Sequence, residues 1–267
     1  MAKQYSLAHL TVLGLTPPEA TRTAAELGYD FVSFRTIPLG LPGEPRHVVA
    51  EDKALLRETK RALADTGQPL LDIELARIVD GVDISTFQPH IEAAAELGAK
   101  HLMTAVYTKN EAFALDAFVS LCQLAAQYDL SVNLEFIAFS EVNTLAKAAA
   151  LIRDANQPNA AIMVDTLHCG FTYMAPAELD PLPRNLFKYA QLNDAKFDAS
   201  ADRDEMIRIA RQERYYTGEG VIPVKEIVQH LPDIPLSLEI THAKRIEEFG
   251  YREFARQALA AAKQLLD

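Results

Sequence analysis

Leu236-Ser237-Leu238-Glu239-Ile240 alternates apolar and polar side chains at every step. Successive side chains of a β-strand point to opposite faces, so the two leucines and the isoleucine share one face and Ser237 and Glu239 share the other. The stretch 131–136 repeats the pattern, with Val132, Leu134 and Phe136 set against Asn133 and Glu135. In a closed barrel one face packs beneath surrounding helices and the other looks along the axis. That geometry predicts Glu135 and Glu239 inside. By the same logic Asp165, ending Ile162-Met163-Val164-Asp165, and Gln191, in Tyr189-Ala190-Gln191-Leu192, point inward, and earlier strands contribute His9, Arg35 and Glu74.

Working outward, short apolar runs alternate with longer helical patterns along the whole chain. The runs predict strands over 6–12, 31–36, 70–76, 101–107, 131–136, 161–166, 187–193 and 236–240. Between them, Ala20, Ala24 and Leu27 fall at helical spacing, as do Leu115, Phe118, Leu121, Cys122 and Ala125. Gly28, Gly67 and Gly98 each close a helical stretch just before a strand, where a helix end favours a left-handed residue. Eight strands alternating with helices imply a parallel sheet, and eight is the number that closes into a (β/α)8 TIM barrel of about 250 residues. A doubly wound sheet would carry a Gly-rich turn after its first strand; here Gly218-Glu219-Gly220 comes late and follows no strand. Without repeats or linkers, residues 1–267 read as a single α/β domain.

Composition narrows the function. Hydrophobic residues make up 49% of the 267, enough for a large core, and the formal charge of −11 opposes a nucleic-acid backbone. No apolar run approaches the roughly 20 residues that span a bilayer. The first residues read as a strand and not as a signal peptide, and Cys122 and Cys169 give no disulfide framework. A cytoplasmic enzyme acting on a small molecule is the expectation, without nucleic acid or membrane as partner and with homo-oligomerisation open.

Several inward carboxylates near the C-terminal ends of barrel strands, where barrel active sites lie, are costly to bury together. Either each pairs with its own arginine or lysine, or one divalent cation neutralises the group. Four oxygen donors on four consecutive strands favour the cation. Three carboxylates and an amide suit Mn2+ or Mg2+ better than Zn2+ or Co2+.

The segments Asn133-Leu134-Glu135-Phe136, Val164-Asp165-Thr166-Leu167-His168, Tyr189-Ala190-Gln191-Leu192-Asn193-Asp194 and Leu236-Ser237-Leu238-Glu239-Ile240 resemble the metal-site strands of the xylose isomerase-like TIM-barrel superfamily. The resemblance implies Glu135, Asp165, Gln191 and Glu239 as metal ligands and His168 as a substrate contact. The commonest pattern has histidine where this chain has Gln191. Glutamine there is a feature of 3-dehydroshikimate dehydratases, and the likeness to them extends to Val142-Asn143-Thr144, Asp194-Ala195 and Arg214…Gly218-Glu219-Gly220. Arg214 is then expected to bind substrate, although Ala210 stands where those dehydratases carry a serine and the strand ending in Arg35 differs from theirs.

The activity implied first is that of a sugar isomerase or epimerase, removing a proton beside a carbonyl of a polyhydroxylated substrate through a metal-stabilised enediolate. Glu135 and Glu239 would serve from opposite sides, whereas in a dehydratase His168 could instead be the base or acid. The alternative is a dehydratase of the 3-dehydroshikimate or inosose kind, and a non-catalytic sugar-binding barrel is a distant third. Tyr107 and Lys109, after the fourth strand, are candidate pocket residues. Arg35 and Glu74 either touch substrate or pair with each other. Arg211 either meets a substrate anion or belongs to a solvated helix face.

Overall fold

A computed structural model describes residues 3–40, 44–45, 47–198 and 200–267, so the first two residues of the N-terminal stretch read above lie outside the described residues. The strands β1 (Tyr5–Leu7), β2 (Phe31–Arg35), β3 (Leu70–Ile78), β4 (His101–Val106), β5 (Ser131–Glu135), β6 (Ala160–Asp165), β7 (Phe187–Leu192) and β8 (Leu236–Leu238) form a closed barrel. Neighbours pair in parallel in sequence order, and β1 closes against β8 through Ser6 opposite Ser237.

The helices begin and end where the local chemistry dictates. In α1 (Pro17–Leu27), Glu19 accepts hydrogen bonds from the amide and hydroxyl of Thr16 at 2.8 and 2.7 Å, and Gly28 ends the helix at φ 78°. Asp52 caps α2 (Lys53–Thr66), Asn110 caps α4 (Glu111–Ala126), Thr144 caps α5 (Leu145–Ala155) and Asp202 caps α7 (Arg203–Gln212), each accepting amide hydrogens of the first turn. The remaining helices are α3 (Gln88–Glu96), α6 (Thr166–Phe171), α8 (Val224–His230) and α9 (Ala243–Leu266).

Two apolar layers follow from the alternation. Val132, Leu134, Phe136, Leu236, Leu238 and Ile240 join the large core between barrel and helices, as their spacing predicts. Leu71, Leu75, Met103, Ala105, Ile137, Met163 and Tyr189 pack as a second cluster inside the barrel. Cys122 belongs to the outer core, and both cysteines are buried thiols.

Three boundaries differ from the sequence reading by two residues or more. The first strand, predicted over 6–12, ends at Leu7, and His9–Val12 form a 3₁₀ turn. There the His9 Nδ1 accepts the Arg35 amide at 3.0 Å. The last strand stops at Leu238, two residues short of its predicted end. The third runs on to Ile78 instead of Ala76 and is irregular twice: Leu71 and Asp72 together face Ser33 on β2, and Glu74 and Leu75 together face Met103 on β4. Each bulge places two successive side chains of β3 where regular pairing allows one. Asp72 therefore reaches Ser33, and Glu74 reaches Arg35, while Leu71 and Leu75 fill the interior.

Candidate active site

Four strand ends converge at the C-terminal mouth. Glu135 is the last residue of β5, Asp165 the last of β6, Gln191 lies one residue before the end of β7, and Glu239 directly follows β8. Asp165 pairs across with Gln191, and Gln191 with Ser237. All four side chains are buried, none more than 3% exposed. Asp165 also caps α6, accepting the Leu167 amide at 2.7 Å, so the helix turns at once and carries His168 back over the mouth.

Glu135, Asp165 and His168 present oxygen or nitrogen atoms that all lie within 4.8 Å of one another, a spacing that could hold a metal ion. His168 Nε2 stands 3.5 Å from Glu135 Oε1, and its Nδ1 accepts the Ala138 amide at 3.4 Å. Burial first, and then the Arg214 charge, lower the imidazole pKa to about 3, so the ring is neutral at ordinary pH.

Arg214 enters from the loop before α8. Its Nη1 lies 2.6 Å from Glu239 Oε2 and 3.1 Å from Asp165 Oδ2, and its Nε donates to the Ala210 carbonyl at 2.8 Å. Burial opposes its charge, and Glu239, Asp165 and Glu135 together outweigh that penalty. Across the mouth Arg35 donates to Glu74 at 3.0 Å and comes within 3.7 Å of Glu239 Oε1. Asn193 donates to Asp165 Oδ1 at 2.8 Å, fixing that carboxylate from a second side.

The charges do not balance. Glu74, Glu135, Asp165 and Glu239 are four buried carboxylates, and the two guanidiniums engaged with them, Arg35 and Arg214, leave two negative charges when all are ionised. Glu135 feels this most: burial raises its pKa well above the carboxylate range, and Asp165 and Glu239 add to the shift. Glu74 rises to about 8, through burial and then Glu239, with Arg35 pulling it down. The ring also contains unmet polar atoms. Both Gln191 amide atoms and Glu239 Oε1 are buried without a hydrogen-bond partner. An isolated buried amide costs several kcal/mol, about 2–7 by reference state. Two protons, on Glu74 and Glu135, or one divalent cation would balance the ring, and the orphaned Gln191 carbonyl oxygen in it fits the cation.

The ring opens onto a pocket of about 270 Å³ lined by Glu135, His168, Glu239, Arg35, Arg77, Tyr107, Phe139, Arg211 and Arg214. Of the residues expected from sequence, the structure brings Glu135, Asp165, Gln191, Glu239, His168, Arg214, Arg35 and Tyr107 to this mouth. Glu74 is fully buried, turned onto Arg35, and does not line the pocket; the expectation that it meets substrate gives way to the ion pair named beside it. Lys109 lines a separate groove between α4 and α5. His101 stacks on Tyr189 within the barrel, and His242 sits at its rim at the start of α9. Sequence reasoning missed Arg77, because the predicted third strand stops one residue before it. It also missed Asn193, whose bond to Asp165 crosses between strands.

A closed parallel barrel with acids and a neutral histidine at its C-terminal mouth is the architecture of a small-molecule barrel enzyme. Residues 21–265 match the family described as xylose isomerase-like TIM barrel, and the chain belongs to that family. Among curated proteins it is similar to a 3-dehydroshikimate dehydratase of Pseudomonas aeruginosa, 26% identical over 231 residues that cover 81% of this chain. The chain spans about a third of that relative's length, 34%. Among solved structures it resembles an IolI protein with a bound zinc atom, with a TM-score of 0.82 at 16% identity over 98% of both chains. It also resembles a D-allulose 3-epimerase from Methylomonas sp. in complex with D-allulose, with a TM-score of 0.72 at 16% identity over 98% of this chain and 97% of that one. At such identities these likenesses show the fold alone.

Proposed function

We propose that this barrel is a divalent-metal-dependent enzyme that removes a proton beside a carbonyl of a small polyhydroxylated substrate, and that its reaction is the dehydration of a cyclic keto-hydroxy acid of the 3-dehydroshikimate type. The observation that carries the proposal is the buried ring of Glu135, Asp165, Gln191 and Glu239, short by two positive charges and holding an unpartnered amide oxygen. Those four residues would hold the ion, and His168 stands beside Glu135 at the edge of the ring. Three carboxylates and an amide favour Mn2+ or Mg2+ over Zn2+. When bound, the ion supplies Lewis-acid polarisation of the substrate carbonyl.

The chain's own groups supply the rest. Glu135 is the candidate base: it stands 3.5 Å from His168 Nε2 at the pocket and, among the described residues, is the acid of the ring with no arginine ion pair. His168, neutral and with its proton on Nε2 while Nδ1 accepts an amide, is a hydrogen-bond donor to a substrate oxygen beside Glu135. That pairing suits a reaction in which a hydroxyl must leave. Arg214, already bridging Asp165 and Glu239, holds both carboxylates in place and borders the pocket where an anionic substrate would lie. The likeness to a 3-dehydroshikimate dehydratase supports the choice of a dehydration.

A second reading, a ketose isomerase or epimerase, is favoured by one feature: Glu135 and Glu239 reach the pocket from well-separated strands, as two-sided proton exchange requires. One assay separates them. The metal-loaded protein is incubated with 3-dehydroshikimate and with a panel of ketoses in D2O, and the mixtures are followed for 3,4-dihydroxybenzoate absorbance and for deuterium at the α-carbon. The dehydratase reading expects the first signal, and the epimerase reading the second. Retention of full activity in Asp165→Asn and Glu239→Ala would refute the site itself.

A further inference from the structure

We propose that Arg77 and Arg211 form a subsite at the pocket mouth for one anionic group of the substrate, a carboxylate or a phosphate. The inference rests on the reading of this pocket as the active site and adds the end of the substrate that the metal-site ring does not address.

Among the described residues four arginines line the pocket, and they divide into two kinds. Arg35 and Arg214 are spent on Glu74, Asp165 and Glu239. Arg77 and Arg211 make no ion pair with any described residue. Arg77, half-buried at the end of β3, donates from Nη2 to the Leu39 carbonyl, which steadies one edge of its guanidinium. Arg211, exposed at the end of α7, uses only its backbone carbonyl, which accepts the Thr241 hydroxyl at 3.2 Å. Arg77, Tyr107 and Arg211 all line this one pocket. Glu44 borders the same rim, with its carboxylate accepting the Leu39 amide at 3.0 Å.

Two guanidiniums facing one small cavity repel each other, and the planar fork of each matches a carboxylate or phosphate. A pocket of about 270 Å³ allows a molecule of one ring. Such a molecule would lay its oxygen-bearing carbon atoms against Glu135 and His168 and its anion against Arg77 and Arg211.

The test compares two ligands that differ only in the anion, 3,4-dihydroxybenzoate and catechol, by calorimetry on the metal-loaded protein. The wild type is expected to bind the carboxylated ring about 10- to 100-fold more tightly. Arg77→Met and Arg211→Met should each reduce that preference, and the double variant should abolish it while binding catechol like wild type. Inorganic phosphate that displaces 3,4-dihydroxybenzoate from wild type would identify a site open to phosphate as well as carboxylate; its failure to do so would assign the subsite to carboxylates. A preference left intact in the double variant would overturn the inference while leaving the ring untouched. If neither aromatic ligand binds wild type, the proposed function fails, and phosphate binding lost in the double variant would still uphold the anion subsite. Absence of all three overturns both.

Discussion

Asp194→Ala should cost this protein more stability than most single core truncations, although the residue touches no substrate. Asp194 follows β7 and is fully buried. Its Oδ1 accepts the amides of Ala195 and Ile222 at 2.8 and 3.0 Å, and its Oδ2 those of Gly218 and Gly220 at 3.1 and 2.8 Å. One carboxylate thus closes the whole turn of Gly218-Glu219-Gly220. The turn tolerates no side chain at Gly220, where a Cβ would collide with the Ala195 carbonyl and Asp194 Oδ1. Asp194 also pairs through its backbone with Tyr215, next to Arg214, at 3.0 and 2.7 Å. A hydrogen bond to a charged acceptor contributes about 1.5–3 kcal/mol. Four would sum to about 6–12 kcal/mol if independent, but bonds to one acceptor are coupled and part-buried glycine amides can turn to water. About 3–5 kcal/mol is the expected loss, near the upper end for a point change.

Urea unfolding followed by circular dichroism measures it, with Asp194→Asn as the isosteric control. The amide keeps one accepting oxygen and turns an NH2 group toward two donors, so it should lose about half as much. Because the turn positions Arg214, turnover in Asp194→Asn should also fall by about tenfold or more under conditions where the variant is fully folded. An alanine variant within about 0.5 kcal/mol of wild type would refute the clamp, and unchanged turnover in the asparagine variant would sever it from Arg214.

Three further outcomes follow from the same geometry. Replacing Gln191 by histidine puts nitrogen in an otherwise oxygen ring and should move metal preference from Mn2+ or Mg2+ toward Zn2+, read by competition calorimetry; an unchanged order would remove Gln191 from the ligand set. Stripping the metal with a chelator should lower the melting temperature, because an ion at a hundredfold excess over its dissociation constant stabilises the fold by about 2.7 kcal/mol, or about 5 °C at this size; identical melts with and without metal would contradict the site. Asp72→Asn should flatten a pH dependence. Burial raises the Asp72 pKa to about 7, with the Ser33 hydrogen bond opposing and Glu239 adding to it. The folded state therefore holds this proton more tightly than the unfolded chain, whose aspartates titrate near 3.9. The associated stability is complete below about pH 4 and is lost as pH rises through 7. Above that pH the asparagine variant should exceed wild type by about 2–4 kcal/mol, whereas a variant less stable at pH 8 would show that the ionised carboxylate is needed.

The barrel was legible because its signal is repeated: eight short apolar runs alternate with helical stretches, and the clear 2-residue period of 131–136 and 236–240 sets their polar faces on a shared axis. Glu135, Asp165, Gln191 and Glu239 were legible for the same reason, since each sits at the end of a run whose apolar face is unambiguous. What escaped the pattern was β3. A bulge adds a residue without changing composition, so Leu71-Asp72 and Glu74-Leu75 read as plain alternation although each pair points one way. Arg77 was lost with them, and so was the fate of Glu74, which the extra residue turns onto Arg35.

Pairing between distant segments was equally hidden. Sequence spacing shows four oxygen donors but not that Arg214, 49 positions beyond Asp165, inserts a guanidinium between two of them. That insertion changes the argument for a cation from one of number to one of balance. Three carboxylates alone could be neutralised by arginines. Once Glu74 is counted in and the two buried arginines are each tied to two of the acids, Glu135 is, among the described residues, the carboxylate left without a guanidinium, and it stands beside the neutral His168. Positive charge is missing on the side of the ring from which a proton would be taken.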